Sequence, residues 1–160
     1  LAIRFRKDTE SMARIDDIKQ LRDDTSMSVT DAKNALEEAQ GDMDKARELL
    51  RSRGAEIAKK KQERQAGEGI LDVYLHSTGK TGVLLDVRCE TDFVGKSPDF
   101  KGLAHELSLQ IAAMDPQDVE ELLSQEYIKD NSKTIQNLLE EYIARLGENI
   151  VIQRFTRYQI

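Results

Sequence analysis

Gly79-Lys80-Thr81 has the ending of a phosphate-binding loop, in which the lysine would reach a phosphate and the hydroxyl a magnesium ion. The upstream glycine required at fixed spacing is missing. The tripeptide also lies between two strand patterns, whereas such a loop joins a strand to a helix. His76 and His105 fall on different elements without the paired spacing of metal ligands, and His105 suits a surface or boundary position on a helix. Cys89 has no histidine near it in sequence and falls on the inward side of a strand, where a thiol is an inert core group. No nucleophile, base and oxyanion-binding site come together, so neither a catalytic residue nor a cofactor or metal is expected.

The run Val87-Arg-Cys-Glu-Thr-Asp-Phe-Val-Gly-Lys-Ser97 invites a different chemistry. An alternating strand ends in an acidic turn that carries Phe93, in a chain with only 5% aromatic residues. If the strand broke at Thr91-Asp92, the ring would be offered to another protein. If it continued, the ring would face the core. The residues alone leave these two options level.

Length and composition bound what can position that turn. A chain of 160 residues makes one ordinary domain or a small module joined to a compact one. Its apolar content of 39% suffices for a modest core. The formal charge of −6 argues against nucleic acid as the main ligand, since phosphate binding needs a basic field. The sign is uneven: Arg51, Arg53, Lys59, Lys60, Lys61 and Arg64 cluster with only two acids, Glu56 and Glu63, whereas the stretch from Asp115 to Glu148 is acidic. A single cysteine excludes an internal disulfide and fits a reducing compartment. No apolar run reaches the roughly 18–20 residues of a membrane span, and no membrane partner is expected. A cytoplasmic location follows, with an organelle matrix or stroma as the alternative. Residues 1–11 are basic and apolar but too short for a secretory signal. They are expected to be an extension upstream of the fold, or the remainder of a trimmed transit segment.

From Met12 to Gly54 three short helices are expected. Ile15, Ile18 and Leu21 share one face. Ser28 with Asp31 starts the second helix, striped by Val29, Ala32, Leu36 and Ala39 and ended by Gly41. Asp42 caps the third, which carries Met43, Ala46, Leu49 and Leu50 and stops before Gly54. Residues 55–68 form a basic linker helix, and Gly67 and Gly69 break it. Leu71, Val73 and Leu75 alternate with Asp72, Tyr74 and His76, and Val83, Leu85, Val87 and Cys89 return after a glycine-containing turn, giving a hairpin. Thr91–Ser97 is a connecting loop, and Pro98 opens a long helix striped by Phe100, Leu103, Ala104, Leu107, Ile111 and Met114. Asp115-Pro116 restarts the chain into a short acidic helix bearing Leu122 and Leu123. A further helix, Ile135 to Leu146, is stopped by Gly147, and Asn149–Tyr158 is a third strand. The expected class is α+β: a three-helix module over residues 12–54, then residues 69–160 as a three-stranded antiparallel sheet covered by helices.

Two runs in this order resemble the signature regions of the elongation factor Ts family, nucleotide-exchange factors for the GTPase elongation factor Tu. The first agrees at Leu21, Arg22, Thr25, Ser28, Lys33, Ala35 and Leu36, and the second at Glu90-Thr91-Asp92-Phe93-Val94. Gly41-Asp42, Gly54-Ala55 and Leu146-Gly147-Glu148-Asn149-Ile150 extend the likeness from Met12 to about Arg157. The chain departs from the family at Asp86, where glutamate is usual, and at Arg88, where a small or amide residue is usual. The resemblance implies that the helical module is similar to a ubiquitin-associated fold and that residues 69–160 are a dimerisation-type core. Longer members carry a second core half and a helical hairpin that this chain lacks, so pairing with a second copy is one outcome it allows. It also implies contacts to elongation factor Tu through Thr91, Asp92, Phe93 and Val94, through Lys19, Arg22, Val29 and Thr30, and through Leu146 and Gly147. Phe93 would then be a wedge between helices of the nucleotide domain, and Asp92 would help disturb its magnesium site.

Two other functions compete. The three-helix module could bind ubiquitin-like or nascent chains, although Asp24-Thr25-Ser26-Met27-Ser28 is more polar than the loop such binders present. The run from Arg51 to Arg64 could touch RNA or a ribosome, although it lacks interleaved aromatics and reads as a solvated helix face.

Overall fold

A computed structural model describes the backbone of residues 2–160 and the side chains of residues 14–160. The expected extension over residues 1–11 therefore lies outside the residues whose side chains are described. The chain divides into two compact units, Leu1–Glu56 and Ile57–Ile160.

The first unit is helical. Helix α1 spans Ala2–Thr25 and so begins well before Met12, α2 spans Val29–Glu38, and α3 starts at Met43. Ser28 caps α2 by accepting from the Asp31 N–H at 3.0 Å. Gly41 ends it with φ +86, its N–H reaching the Leu36 carbonyl at 2.9 Å. Asp42 accepts from the Asp44 and Lys45 N–H groups, both at 3.1 Å, to start α3. Leu21, Met27, Ala32, Ala35, Leu36, Ala39, Ala46 and Leu50 are buried, whereas Val29 is 55% exposed and falls outside the expected stripe. Helix α3 does not stop at Gly54. It runs from Met43 to Lys61, because one glycine costs only about 1 kcal/mol in a helix interior and good helix formers surround it.

The second unit is α+β. Strands β1 (Glu68–Leu75), β2 (Thr81–Cys89) and β5 (Val151–Gln159) form an antiparallel sheet in the order β1-β2-β5. Helices α5 (Pro98–Met114) and α7 (Ile135–Leu146) are joined by the six-residue α6 (Val119–Ser124). Ser97 caps α5 with proline in its first turn, Thr134 and Asn137 cap α7 reciprocally, and Gly147 ends α7 in the left-handed region at φ +76. The core joins Val83, Leu85, Val87 and Cys89 of β2 to Phe100, Leu103, Ala104, Leu107 and Ile111 of α5 and to Ile135, Leu138, Leu139 and Ile143 of α7. Met114 lies beyond this stripe and is 48% exposed.

Three features differ from expectation or add to it. The connection after β2 is not a plain loop but one turn of helix, α4 (Asp92–Gly95). A small second hairpin, β3 (Glu126–Tyr127) with β4 (Asp130–Thr134), precedes α7. Finally, β1 turns Ile70, Asp72 and Tyr74 inward and leaves Leu71, Val73 and Leu75 exposed at 63%, 69% and 67%. Pairing of Val73 with Leu84, and of Leu75 with Gly82 and then Tyr158, spreads this apolar strip across the outer face of the sheet.

Candidate partner-binding site

Strand β2 ends at Cys89, leaving the next backbone donors without a ladder partner. Thr91, extended at φ −125 and ψ 149, caps α4 by accepting from the Val94 N–H at 3.3 Å. Val94 and Gly95 are buried under this turn, and its outer side holds Phe93 at 86% exposure. An exposed aromatic ring on a turn whose neighbours are packed is a surface feature, not a core residue. Asp92 is also exposed and accepts from the Lys96 ammonium one turn on, which holds that ammonium above its ordinary pKa.

The turn is braced from across the unit. Glu148 lies just past Gly147, in the connection between α7 and β5. Its Oε2 accepts from the Glu90 N–H at 3.1 Å and the Thr91 N–H at 3.0 Å, and its Oε1 accepts from the Thr91 hydroxyl at 2.6 Å. In return, Glu90 Oε1 accepts from the Asn149 N–H at 2.7 Å. The buried Asn149 amide donates to the Arg64 carbonyl at 2.8 Å, and the Lys61 ammonium donates to the Gly147 carbonyl at 2.6 Å. Below the turn, the Cys89 thiol donates to the Thr91 carbonyl at 3.2 Å. Burial, reinforced by the charge of Glu148, pushes this thiol up to about 11, so it stays protonated and unreactive at neutral pH.

The expected contact residues therefore divide. Within the second unit, Thr91, Asp92 and Phe93 are exposed on one turn, Val94 points inward as its anchor, and Leu146 (half-buried) and Gly147 (exposed) lie next to the bracing residue Glu148. In the first unit, Lys19 and Arg22 are exposed on α1, and Val29 and Thr30 are exposed in the first turn of α2. Arg22 donates to Asp23 at 2.8 Å, and Lys19 stands 3.9 Å from Asp16. Glu90, Glu148 and Asn149 occur in the motifs quoted above, but their bracing role was not legible there. Glu90 and Glu148 are 58 residues apart, and no local pattern joins them.

Among the described residues no group of three or more metal-ligating side chains occurs, and no helix is long and apolar enough to cross a membrane. His105 Nδ1 stands 3.9 Å from Asp72 on a half-exposed side chain.

An α+β unit that holds a bare phenylalanine on a braced turn is suited to contact with another macromolecule. A profile of the family described as Elongation factor TS matches residues 90–160. The chain is similar to the elongation factor Ts of Coprothermobacter proteolyticus, at 39% identity over 89% of this chain and 95% of that protein. The elongation factor Ts of Rubrobacter xylanophilus is 36% identical over 92% and 98% of the two chains, and that of Thermotoga neapolitana 40% identical over 91% and 96%. The chain belongs to the elongation factor Ts family, a family of translation elongation factors.

Proposed function

We propose that this protein promotes release of GDP from elongation factor Tu by stabilising its nucleotide-free conformation. Family membership supports the exchange function, and the exposure of Phe93 carries the mechanism. An exchange factor makes and breaks no covalent bond. It binds the emptied GTPase more tightly than the loaded one, and linkage makes the weakening mutual. A coupling of about 1.4 kcal/mol changes affinity tenfold. Burying one phenylalanine contributes roughly 1.5–3 kcal/mol, so a pocket that opens for Phe93 in only one state supplies a useful fraction of the effect.

In this proposal Phe93 enters between helices of the nucleotide domain, and Asp92 helps to disturb the magnesium site. Val94 seats the turn. Lys19, Arg22, Val29 and Thr30 hold the same domain from the helical unit, and Leu146 with Gly147 adds a further contact. Two cations of the basic run are engaged within their own units: Arg53 donates to Glu38 at 2.6 Å, and Lys61 to Gly147 at 2.6 Å.

A second copy of the chain is the proposed occupant of the open sheet face. Leu71, Val73, Leu75, Leu84 and Tyr158 make a continuous apolar surface of the kind that marks interfaces, and a two-fold partner would present the same strip in return.

The deciding measurement is release of fluorescent GDP from elongation factor Tu, with and without the protein. Wild type should accelerate release. The Phe93→Ala protein should fold and lose most of the acceleration, and unchanged acceleration would remove the wedge from the mechanism.

A further inference from the structure

We propose that Glu148 is a positioning residue for exchange, acting through the Phe93 turn. This rests on the wedge proposed above and adds a residue to which no contact with the partner is assigned. Glu148 uses both carboxylate oxygens on the two residues that precede α4: Oε2 on the Glu90 and Thr91 N–H groups, and Oε1 on the Thr91 hydroxyl. These two N–H groups emerge where the β2 ladder has ended, so the carboxylate replaces the missing strand partner.

The hydroxyl contact matters most for direction. Thr91 Oγ1 is at once the donor to Glu148 and the acceptor that caps α4 through the Val94 N–H. A proton committed to Glu148 leaves the oxygen lone pairs aimed at Val94, which fixes the hydroxyl rotor that starts the helical turn. Phe93 lies between these two anchored positions, so its ring direction depends on them. The reciprocal bond from the Asn149 N–H to Glu90 Oε1 holds the Glu148 side of the brace in register. The same connection carries Gly147 and follows Leu146. Glu148 thus ties the proposed wedge, by hydrogen bonds, to the chain segment that carries the second proposed contact point of this unit.

The test compares Glu148→Ala, Glu148→Gln and Thr91→Val with wild type, alone and combined with Phe93→Ala. The full chain is used, and fluorescent GDP release from elongation factor Tu is read as a function of exchange-factor concentration. Glu148→Ala should lower the maximal release rate about tenfold. Glu148→Gln keeps one carbonyl acceptor and should recover part of that loss, and Thr91→Val, which deletes the shared hydroxyl, should resemble Glu148→Ala. On a Phe93→Ala background Glu148→Ala should change nothing further, because both alter one element. Amide hydrogen exchange at Glu90, Thr91 and Val94 should speed up in the free Glu148→Ala protein while the α5 and β2 amides stay protected, and this separates local release from unfolding. Full exchange activity in Glu148→Ala and Glu148→Gln, with Phe93→Ala impaired, overturns the positioning role and leaves the wedge. A loss that multiplies with that of Phe93→Ala also overturns it, since Glu148 would then act directly. An active Phe93→Ala protein overturns both.

Discussion

Lys133 of β4 and Glu141 of α7 face each other at 2.7 Å, and each side chain is only 10% exposed. Removing one partner of a covered pair weakens the compensation of the charge that stays, a loss that reaches roughly 3–5 kcal/mol when burial is complete and the pair stands alone. Lys133→Ala should therefore lower unfolding stability by about 1–3 kcal/mol in a urea titration. The paired replacement Lys133→Met with Glu141→Leu should cost less, because both charges of the covered pair leave together. Equal losses in the single and paired variants would show that packing, not charge, holds β4 to α7.

Gly69 occupies a place that a side chain cannot enter. A Cβ there would stand 2.2 Å from the Val87 carbonyl oxygen and 2.8 Å from the Arg88 Cα, at φ +150. Both obstacles are backbone, so relief requires β1 to separate from β2. Gly69→Ala should destabilise the protein by about 3 kcal/mol, at the upper end of overpacking costs, read as a lower urea midpoint. The same change at Gly67, where a Cβ meets nothing within 4 Å, should be nearly neutral.

Asp86 supplies a pH signature. It is 4% exposed, accepts from Arg88 on both carboxylate oxygens, and lies 3.5 Å from the Arg154 guanidinium. The Arg88 hydrogen bonds outweigh burial and hold the carboxyl below the usual carboxylate range. A depressed folded pKa contributes stability above the unfolded value of about 3.9, and that contribution is lost as pH falls through the folded value. Wild type should thus lose urea stability more steeply than Asp86→Asn below about pH 4. At neutral pH the variant should be weaker by about 1.5–3 kcal/mol, the worth of a hydrogen bond to a charged group. Parallel curves down to acid would exclude Asp86 as the source.

The outer sheet face should report on self-association. Val73 is 69% exposed in the middle of the apolar strip, so Val73→Lys removes no core contact of the single chain. Its stability should change by less than about 0.5 kcal/mol at protein concentrations where the chain is single. The solution mass of wild type should exceed that of one chain and fall to it in the variant. Identical masses would leave the strip without its proposed occupant.

Much of the fold was legible because caps and stripes are local. Ser28, Asp42, Ser97 with Pro98, and Gly147 mark helix ends at the positions the structure confirms, and the stripe from Phe100 to Ile111 is fully buried. Gly54 misled because glycine at a helix end and glycine in a helix interior look alike, and only continued backbone bonding separates them. The β3–β4 hairpin escaped because Glu126-Tyr127 and Asp130–Thr134 are too short and polar to show alternation. The side of β1 that meets α5 was equally hidden: alternation announces a strand, but the apolar half here looks outward. At the candidate site, Phe93 stood out by its type, yet the residues alone could not decide between core and surface. The bracing role of Glu148 required the fold itself.

Helix α4 has four residues, and two of them, Val94 and Gly95, are locked into the interior. A ring mounted on so short and well-anchored a platform has little freedom left to surrender when it meets a target. Complex formation should then show the heat-capacity decrease of apolar burial without the large entropy loss of a segment that folds on docking. On the proposed mechanism the yielding falls to the GTPase.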